Sequence, residues 1–183
     1  MTAGKETDWL EMKVMDVRRV RPSDDVPELH TVLLGETGGD RRLPIGIGPY
    51  EATALAMSLE RAETPRPGPY NLMSSLLSTI QGRVREVRLT RLQDGTFYAE
   101  VVVSGPQGQG AVDARPSDAL NLALVADAPI RVTPALIESA AGSANAIQRM
   151  AGREGTRSAD IVADARAAWE RQVRAVSNWA EKS

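Results

Sequence analysis

The chain has no cysteine, a single histidine and a single phenylalanine, and each shortage removes a class of function. Without cysteine there are no disulfides, no thiolate metal sites and no cysteine nucleophile. A lone histidine, His30, rules out a multi-histidine zinc site within one chain. With one Phe, three Tyr and three Trp, surfaces for stacking bases are scarce. Nothing approaches the roughly 20 consecutive apolar residues of a bilayer span, and the start MTAGKETDWLEM lacks a basic segment leading into an apolar one. The expectation is a soluble protein of the cytoplasm with no membrane partner. An excess of one charge is missing too. The 22 basic and 24 acidic residues leave a net charge of −2, so any surface for a polyanion has to be local.

What is present is enough for one core, at 183 residues and 42% hydrophobic. Trp9 to Val20 alternates in the manner of a strand, with Met12, Val14 and Asp16 set against Lys13, Met15 and Val17. Arg21 to Asp25 is turn chemistry, Leu29 to Glu36 is a second strand ended by Thr37-Gly38-Gly39-Asp40, and Arg41 to Ile47 is a third. Gly48-Pro49 opens a helix through Ala52, Leu55, Ala56 and Leu59, which stops before Pro65. After the irregular Thr64 to Pro69, the apolar series Leu72, Leu76, Leu77, Ile80 marks a second helix closed by Gly82. Then the order repeats. Val87 and Leu89 lie in a strand, Asp94-Gly95 is a hairpin signal, and Phe97, Ala99, Val101 and Val103 line the returning strand. Ser104 to Gly110 is expected to be a loop and Ala111 to Arg115 a short strand. Pro116 starts a helix apolar nearly all round, and therefore buried.

The two halves resemble each other in detail, since GPYEATALA at 48–56 and RPSDALNLA at 115–123 share proline, any residue, acid, alanine, then Leu-Ala. A duplicated β-β-β-α unit and chance are the competing accounts. In both segments the acid, Glu51 or Asp118, falls at the third helical position, where free N–H groups keep a carboxylate ionised. Capping alone accounts for that placement. The functional alternative brings both carboxylates to one cleft, to hold a divalent cation or orient water for phosphodiester attack. Around Asp118 the run Asp113-Ala114-Arg115-Pro116-Ser117-Asp118 supplies two carboxylates, a guanidinium and a hydroxyl. Asp113 with Asp118 could ligate a hard metal while Arg115 takes a phosphate bidentately; alternatively Arg115 pairs with an aspartate and ties the turn.

Other residues carry weaker signals. Asp94 to Tyr98 is a hairpin with a core aromatic rather than a stacking platform, and His30 is either a general base or an ordinary polar residue near a strand start. Between Arg61 and Arg91 six arginines face two glutamates, a band in which Arg66, Arg85 and Arg88 are candidate phosphate contacts, or else a solvated sheet face. From about Ser158 to Glu181, Val162, Ala165, Trp169, Val173, Val176 and Trp179 recur at helical spacing. That stripe is expected to be buried in a contact, in or beside a dimer interface.

Four blocks then occur in order: LPIGIGPYEATALA at 43–56, PRPGPYNLMSSLL at 65–77, DGTFYAEVVV at 94–103 and DARPSDALNLAL at 113–124. Over about residues 11–141 the chain resembles the bifunctional nuclease domain family. The resemblance implies an α+β domain, commonly a homodimer, in a family with members that degrade RNA and DNA. It departs in two places. Gly46 stands where the family usually has tryptophan, and Pro69, Tyr70 and Asn71 stand where it has a Thr-His-Asp stretch; tyrosine is a poor base at neutral pH and asparagine lacks a metal ligand's charge. The positions matching the family pattern that remain able to contribute are Glu51, Asp113, Arg115, Ser117 and Asp118.

The sequence thus leads to an α+β domain over 1–141 with a mixed or antiparallel sheet, a linker over 142–157 and a helical extension over 158–183. Two functions follow. The first is a nuclease-like protein using magnesium or manganese on RNA or DNA, with Asp118, Asp113 and Glu51 as metal ligands. The second is a binding or regulatory module that kept the fold without the active groups.

Overall fold

The computed structural model describes residues 8–20, 27–141 and 155–180, with side chains as far as residue 174; the turn expected at Arg21 to Asp25 and the ring of Trp179 lie outside that description. Seven strands form one sheet: β1 (Leu10–Val20), β2 (Leu29–Glu36), β3 (Arg42–Ile47), β4 (Arg83–Gln93), β5 (Thr96–Gly105), β6 (Gly108–Ala114) and β7 (Ile130–Val132). Their order, β3-β2-β1-β7-β4-β5-β6, places a three-stranded meander on either side of β7. β7 pairs antiparallel with β1 and parallel with β4, which makes the sheet mixed. Each meander runs into a helix whose first residue is proline, α1 (Pro49–Leu59) after the first and α3 (Pro116–Ala126) after the second, the arrangement that a duplicated unit requires. Between the halves lies α2 (Pro69–Thr79). A helical stretch over 134–141 (α4) follows β7, and α5 (Ser158–Ala180) follows later in the chain. This is an α+β fold. None of the described helices is long and apolar enough to cross a membrane.

The turns follow from local chemistry. Asp94 and Gly95 both take positive φ, 50° and 76°, as a two-residue hairpin between twisted strands demands. The loop expected over Ser104 to Gly110 is instead a tight turn at Pro106-Gln107, with β5 and β6 paired up to Gly105 and Gly108. Gly108, at φ 115°, makes that turn possible. The short strand expected at Ala111 to Arg115 is present as β6 but starts earlier, at Gly108; as an almost wholly exposed edge strand it lacks the apolar alternation that would reveal its full length. β7 escapes notice for a simpler reason, having only three residues.

The core is the layer between the sheet and the helices. Val32, Leu34, Leu43 and Leu89 from strands meet Ala52, Leu55, Ala56, Ala119 and Leu120 from α1 and α3, all at 0% exposure. The strict alternation expected of β1 breaks at a bulge between Val14 and Asp16, so that Asp16 and Val17 are both buried. The second helix ends differently from expectation as well. Gln81, not Gly82, takes the left-handed conformation, at φ 58°. Gly82 is needed for a different reason, because a Cβ there would lie 3.3 Å from the Leu77 carbonyl oxygen.

Helix α5 begins against this core. Ile161 and Val162 belong to it, while Trp169 and Val173 are 58% and 45% exposed. The apolar stripe of the sequence therefore divides, its first turn buried within the chain and its middle facing outward. Polar groups fix the start. Arg19 and Thr156 exchange backbone hydrogen bonds of 2.9 and 3.0 Å, and the Asp16 carboxylate accepts from Arg157 Nε at 3.1 Å and from the Ser158 N–H at 3.4 Å. Ser158 Oγ also donates to Glu60.

Candidate functional site

Proline at the first position of α1 and α3 fixes where each acid falls, and the fold brings the two helix starts together. Arg115, the residue before Pro116, donates from Nη1 to Glu51 Oε1 at 3.0 Å. It also grips Asp118 with two bonds, Nε to Oδ2 at 2.7 Å and Nη2 to Oδ1 at 3.2 Å. The two carboxylates thus meet through one guanidinium. The head of Arg115 stays open, its side chain 67% exposed against 20% for Glu51 and 32% for Asp118. Three of the five N–H groups of the guanidinium are engaged, which leaves two for a ligand.

Tyr70 completes the cluster from α2, its hydroxyl donating to Asp118 Oδ1 at 2.8 Å. Burial would raise the Asp118 carboxyl, but the hydrogen bonds from Arg115 and Tyr70 and the charge of Arg115 outweigh it and hold the group below the usual carboxylate range. Tyr70 moves the other way. Burial, and then the bond to Asp118 and its charge, push the phenol well above its ordinary value. The hydroxyl therefore remains a donor and does not serve as a base near neutral pH.

Beside this cluster runs a groove of about 650 Å³. Its walls are Ile45 to Gly48 of β3 and the α1 start, Leu92 and Gly95 to Tyr98 of the β4–β5 hairpin, and Asp113 to Ser117 at the β6–α3 junction. β3 and β6 are the opposite edges of the sheet, so the sheet curls until both border one groove. Glu51 and Arg115 stand on its rim. Asp113 is exposed on β6, opposite Glu100, and Ser117 is buried, its carbonyl accepting from Asn121 Nδ2 at 3.0 Å. Among the described residues no three His, Asp or Glu side chains gather as a cation site.

The other candidates lie elsewhere. Arg66, Arg85 and Arg88 do not line the groove. Arg88 is held by Glu86, Nε to Oε1 at 2.7 Å, and lies 5.4 Å from the Trp9 ring. His30 sits on β2 opposite Arg19 and Ile47, half-buried. Burial and the charge of Arg19 draw it below the ordinary imidazole value, against a partial opposing pull from Glu28.

Two participants escape a reading of the sequence alone. Tyr70 reaches Asp118 across 48 positions of chain, a contact no spacing announces. Gly48 is the second. A Cβ there would lie 2.2 Å from Glu51 Oε2, so the carboxylate can fold over its own helix start only because residue 48 has no side chain. The repeated Gly-Pro-Tyr of 48–50 and 68–70 was the available signal, since in both copies the third helical residue turns back toward the glycine.

Residues 32–145 match the bifunctional nuclease domain. An uncharacterized protein of Mycobacterium tuberculosis is 37% identical over 130 residues, covering 71% of this chain and 75% of its own length. Bifunctional nuclease 1 of Oryza sativa subsp. indica is 30% identical over 118 residues, 63% of this chain and 36% of the plant protein. Bifunctional nuclease 1 of Arabidopsis thaliana is 28% identical over 119 residues, with 63% and 37% covered. The chain therefore spans little more than a third of the plant proteins it resembles.

Proposed function

The chain belongs to the bifunctional nuclease domain family, and from that premise we propose that it is a nuclease-like protein whose groove receives a phosphodiester of RNA or DNA. One observation carries the reading. Arg115 is an exposed guanidinium with two N–H groups to spare, clamped in place by two helix-start carboxylates at the edge of a groove. A fork held rigid in this way suits recognition of a phosphate better than a mobile side chain does.

Charge counting adds a cation to the proposal. Around Arg115 stand Glu51, Asp113 and Asp118, three carboxylates against one guanidinium, and a phosphodiester entering alone meets net repulsion. The donors suit magnesium or manganese, which commonly take one or two carboxylates and complete their shell with water and substrate oxygens. Glu51 and Asp113 would hold the ion, since both oxygens of Asp118 already accept from Arg115 and Tyr70. The ion would supply charge neutralisation at the phosphate. Arg115 would bind and orient the phosphate, Asp118 would fix Arg115, and Tyr70 would keep Asp118 turned toward it.

The state of Tyr70 favours a second reading, a binding module without catalysis, because a phenol that stays protonated cannot take the part of a base. Digestion of single-stranded RNA and DNA, with magnesium or manganese and with chelator, separates the two. Cation-dependent cleavage reduced about 100-fold or more by Asp118→Asn and Arg115→Ala supports the nuclease. Binding without cleavage, weakening steeply as salt rises, supports the module. Neither binding nor cleavage overturns both.

A further inference from the structure

Arg91 occupies an unusual position. It stands directly opposite Tyr98 across the β4–β5 hairpin, just after a bulge between Leu89 and Arg91, and its guanidinium carbon lies 3.8 Å from the centroid of the Tyr98 ring. The side chain is exposed, and among the described residues it makes no ion pair. Arg88, by contrast, is tied to Glu86. An arginine laid over an aromatic face keeps its outer N–H groups free while losing rotamer freedom, which lowers the entropy cost of gripping an anion.

Tyr98 also lines the groove beside Arg115, together with Leu92 and Phe97. Gly46 of β3 lines the same groove and is exposed, and a Cβ built there would meet nothing within 4 Å. The groove therefore combines Glu51, Asp113 and Arg115 with the apolar Leu92 and Phe97 and the open position at Gly46, and Arg91, which does not itself line it, is stacked on its Tyr98 wall without an ion-pair partner among the described residues. That combination of two cations and an apolar surface suits a nucleotide unit, with a phosphate for each cation and a base for the apolar surface. A base can enter the groove only after leaving its stack, which a duplex resists and a single strand permits.

We infer that this groove is a subsite for single-stranded nucleic acid, in which Arg91, propped on the Tyr98 ring, holds a backbone phosphate while an unstacked base lies between the hairpin and the open wall at Gly46. The inference rests on the function proposed above and assigns that function's substrate form and a positioning residue outside the Arg115 cluster.

The test measures anisotropy of end-labelled 12-nucleotide single strands of RNA and DNA and of a 12-base-pair duplex, with gels confirming that the probes stay intact. Arg91→Ala is expected to weaken single-strand binding about fivefold to tenfold and to lower the salt slope by about one phosphate contact. Arg91→Lys should restore the slope but not the full affinity, since lysine keeps the charge without the stacked plane. Gly46→Glu, which places a carboxylate in open space on the groove wall, is expected to weaken single strands at least tenfold. Thermal melts identify any variant that fails to fold, and Arg91→Ala, at an exposed position, decides alone if Gly46→Glu does. Single-strand binding by the wild type with both variants within twofold of it overturns this inference and leaves the proposed function standing. Duplex bound as tightly as single strand also overturns it. A wild type that binds no probe overturns both.

Discussion

α1 and α3 on one side and α2 on the other share the same opening and the same ending, yet they differ completely in what they bury. Each starts with proline at its first position. Each ends in a left-handed residue that is not glycine, namely Arg61, Gln81 and Asp127. Each closes with a backbone bond reaching five residues back, from Ala62, Gly82 and Ala128 to the carbonyls of Met57, Leu77 and Ala123 at 2.8–2.9 Å. α1 nevertheless buries Ala52, Leu55 and Ala56, and α3 buries a run from Ala119 to Ala123, whereas α2 has no buried residue. Start and stop signals are local backbone chemistry, but burial depends on which face meets the sheet. α2 turns Leu72, Met73 and Leu76 outward at 47–59% exposure, with Ile80 just past its end at 68%, and its eleven residues include no charge. Its inward contribution is Leu77 and the hydroxyl of Tyr70.

The largest effect should appear where this contrast is sharpest. Leu120→Ala in α3 is expected to cost about 2–5 kcal/mol, because the side chain is fully buried and the cavity cannot fill with water. Leu76→Ala in α2, on the exposed stripe, should stay within about 0.5 kcal/mol. Chemical denaturation of both variants measures the difference. A melting temperature of the Leu76→Ala protein that falls further below wild type as concentration rises would break the comparison, by showing that a second copy covers α2 in solution.

Next in size is the attachment of α5. Asp16 is a buried carboxylate serving Arg18, Arg157 and the start of α5 at once. Burial would raise its carboxyl, and the bonds from Arg18, Arg157 and the Ser158 N–H, with the charge of Arg157, more than reverse that, so its folded value lies below 3.8. A depressed folded value means that this stabilisation is fully present above the unfolded value near 3.8 and is lost as pH falls through the lower folded value. Asp16→Asn should cost about 2–3 kcal/mol at pH 7, and the loss should shrink below pH 3.8, where the wild type protonates as well. Hydrogen exchange should show early opening of residues 158–164 in the variant.

How far the sequence carried depended on whether the signal was local. Strands β1 to β3, the Asp94-Gly95 hairpin and the proline starts at Pro49 and Pro116 are legible because turn residues and alternation act over a few positions, whereas Pro69, which opens α2, reads as the end of an irregular stretch. β6 was legible only in part, from Ala111 onward and not at its start, because it is an exposed edge without alternation, and β7, only three residues long, was not legible. Within the site, the partnership of Arg115 with Asp118 lies inside one turn and was foreseeable, and the repeat hinted that Glu51 would join them. The bond from Tyr70 and the stacking of Arg91 on Tyr98 were not equally hidden. The first crosses from α2 to α3 and leaves no pattern, whereas the second follows from the hairpin, since residues three before Asp94 and three after Gly95 face each other. What stayed illegible was therefore chiefly the contact between elements whose relative placement is set by the core.

A smaller effect concerns the one bond by which α2 enters the site. Tyr70→Phe keeps the ring and removes the donor, leaving Asp118 to Arg115 alone. The expected cost is about 1 kcal/mol, with the Asp118 carboxyl rising toward its ordinary value as one of its stabilising bonds disappears. Carboxyl chemical shifts followed through a pH titration check the direction. An unmoved Asp118 would mean that α2 is incidental to the site.

The smallest effect tests the shared helix endings. Gln81 takes φ 58°, a conformation that costs an L residue about 1 kcal/mol and glycine almost nothing. Its side chain is exposed, so removing it sacrifices little packing. Gln81→Gly relieves that strain but gives the unfolded chain more freedom, and the difference should be a net gain of about 0.5 kcal/mol, or roughly 1–2 °C in Tm for a chain of this size. The neighbouring glycine should behave oppositely. Gly82→Ala drives a Cβ to 3.3 Å from the Leu77 oxygen and 3.5 Å from the Ser104 oxygen, both backbone atoms fixed by the helix end and by β5, so its Tm should fall. If Gly82→Ala were neutral while Gln81→Gly destabilised, the glycine would be the helix stop after all, and the common ending drawn for α1, α2 and α3 would fail at α2.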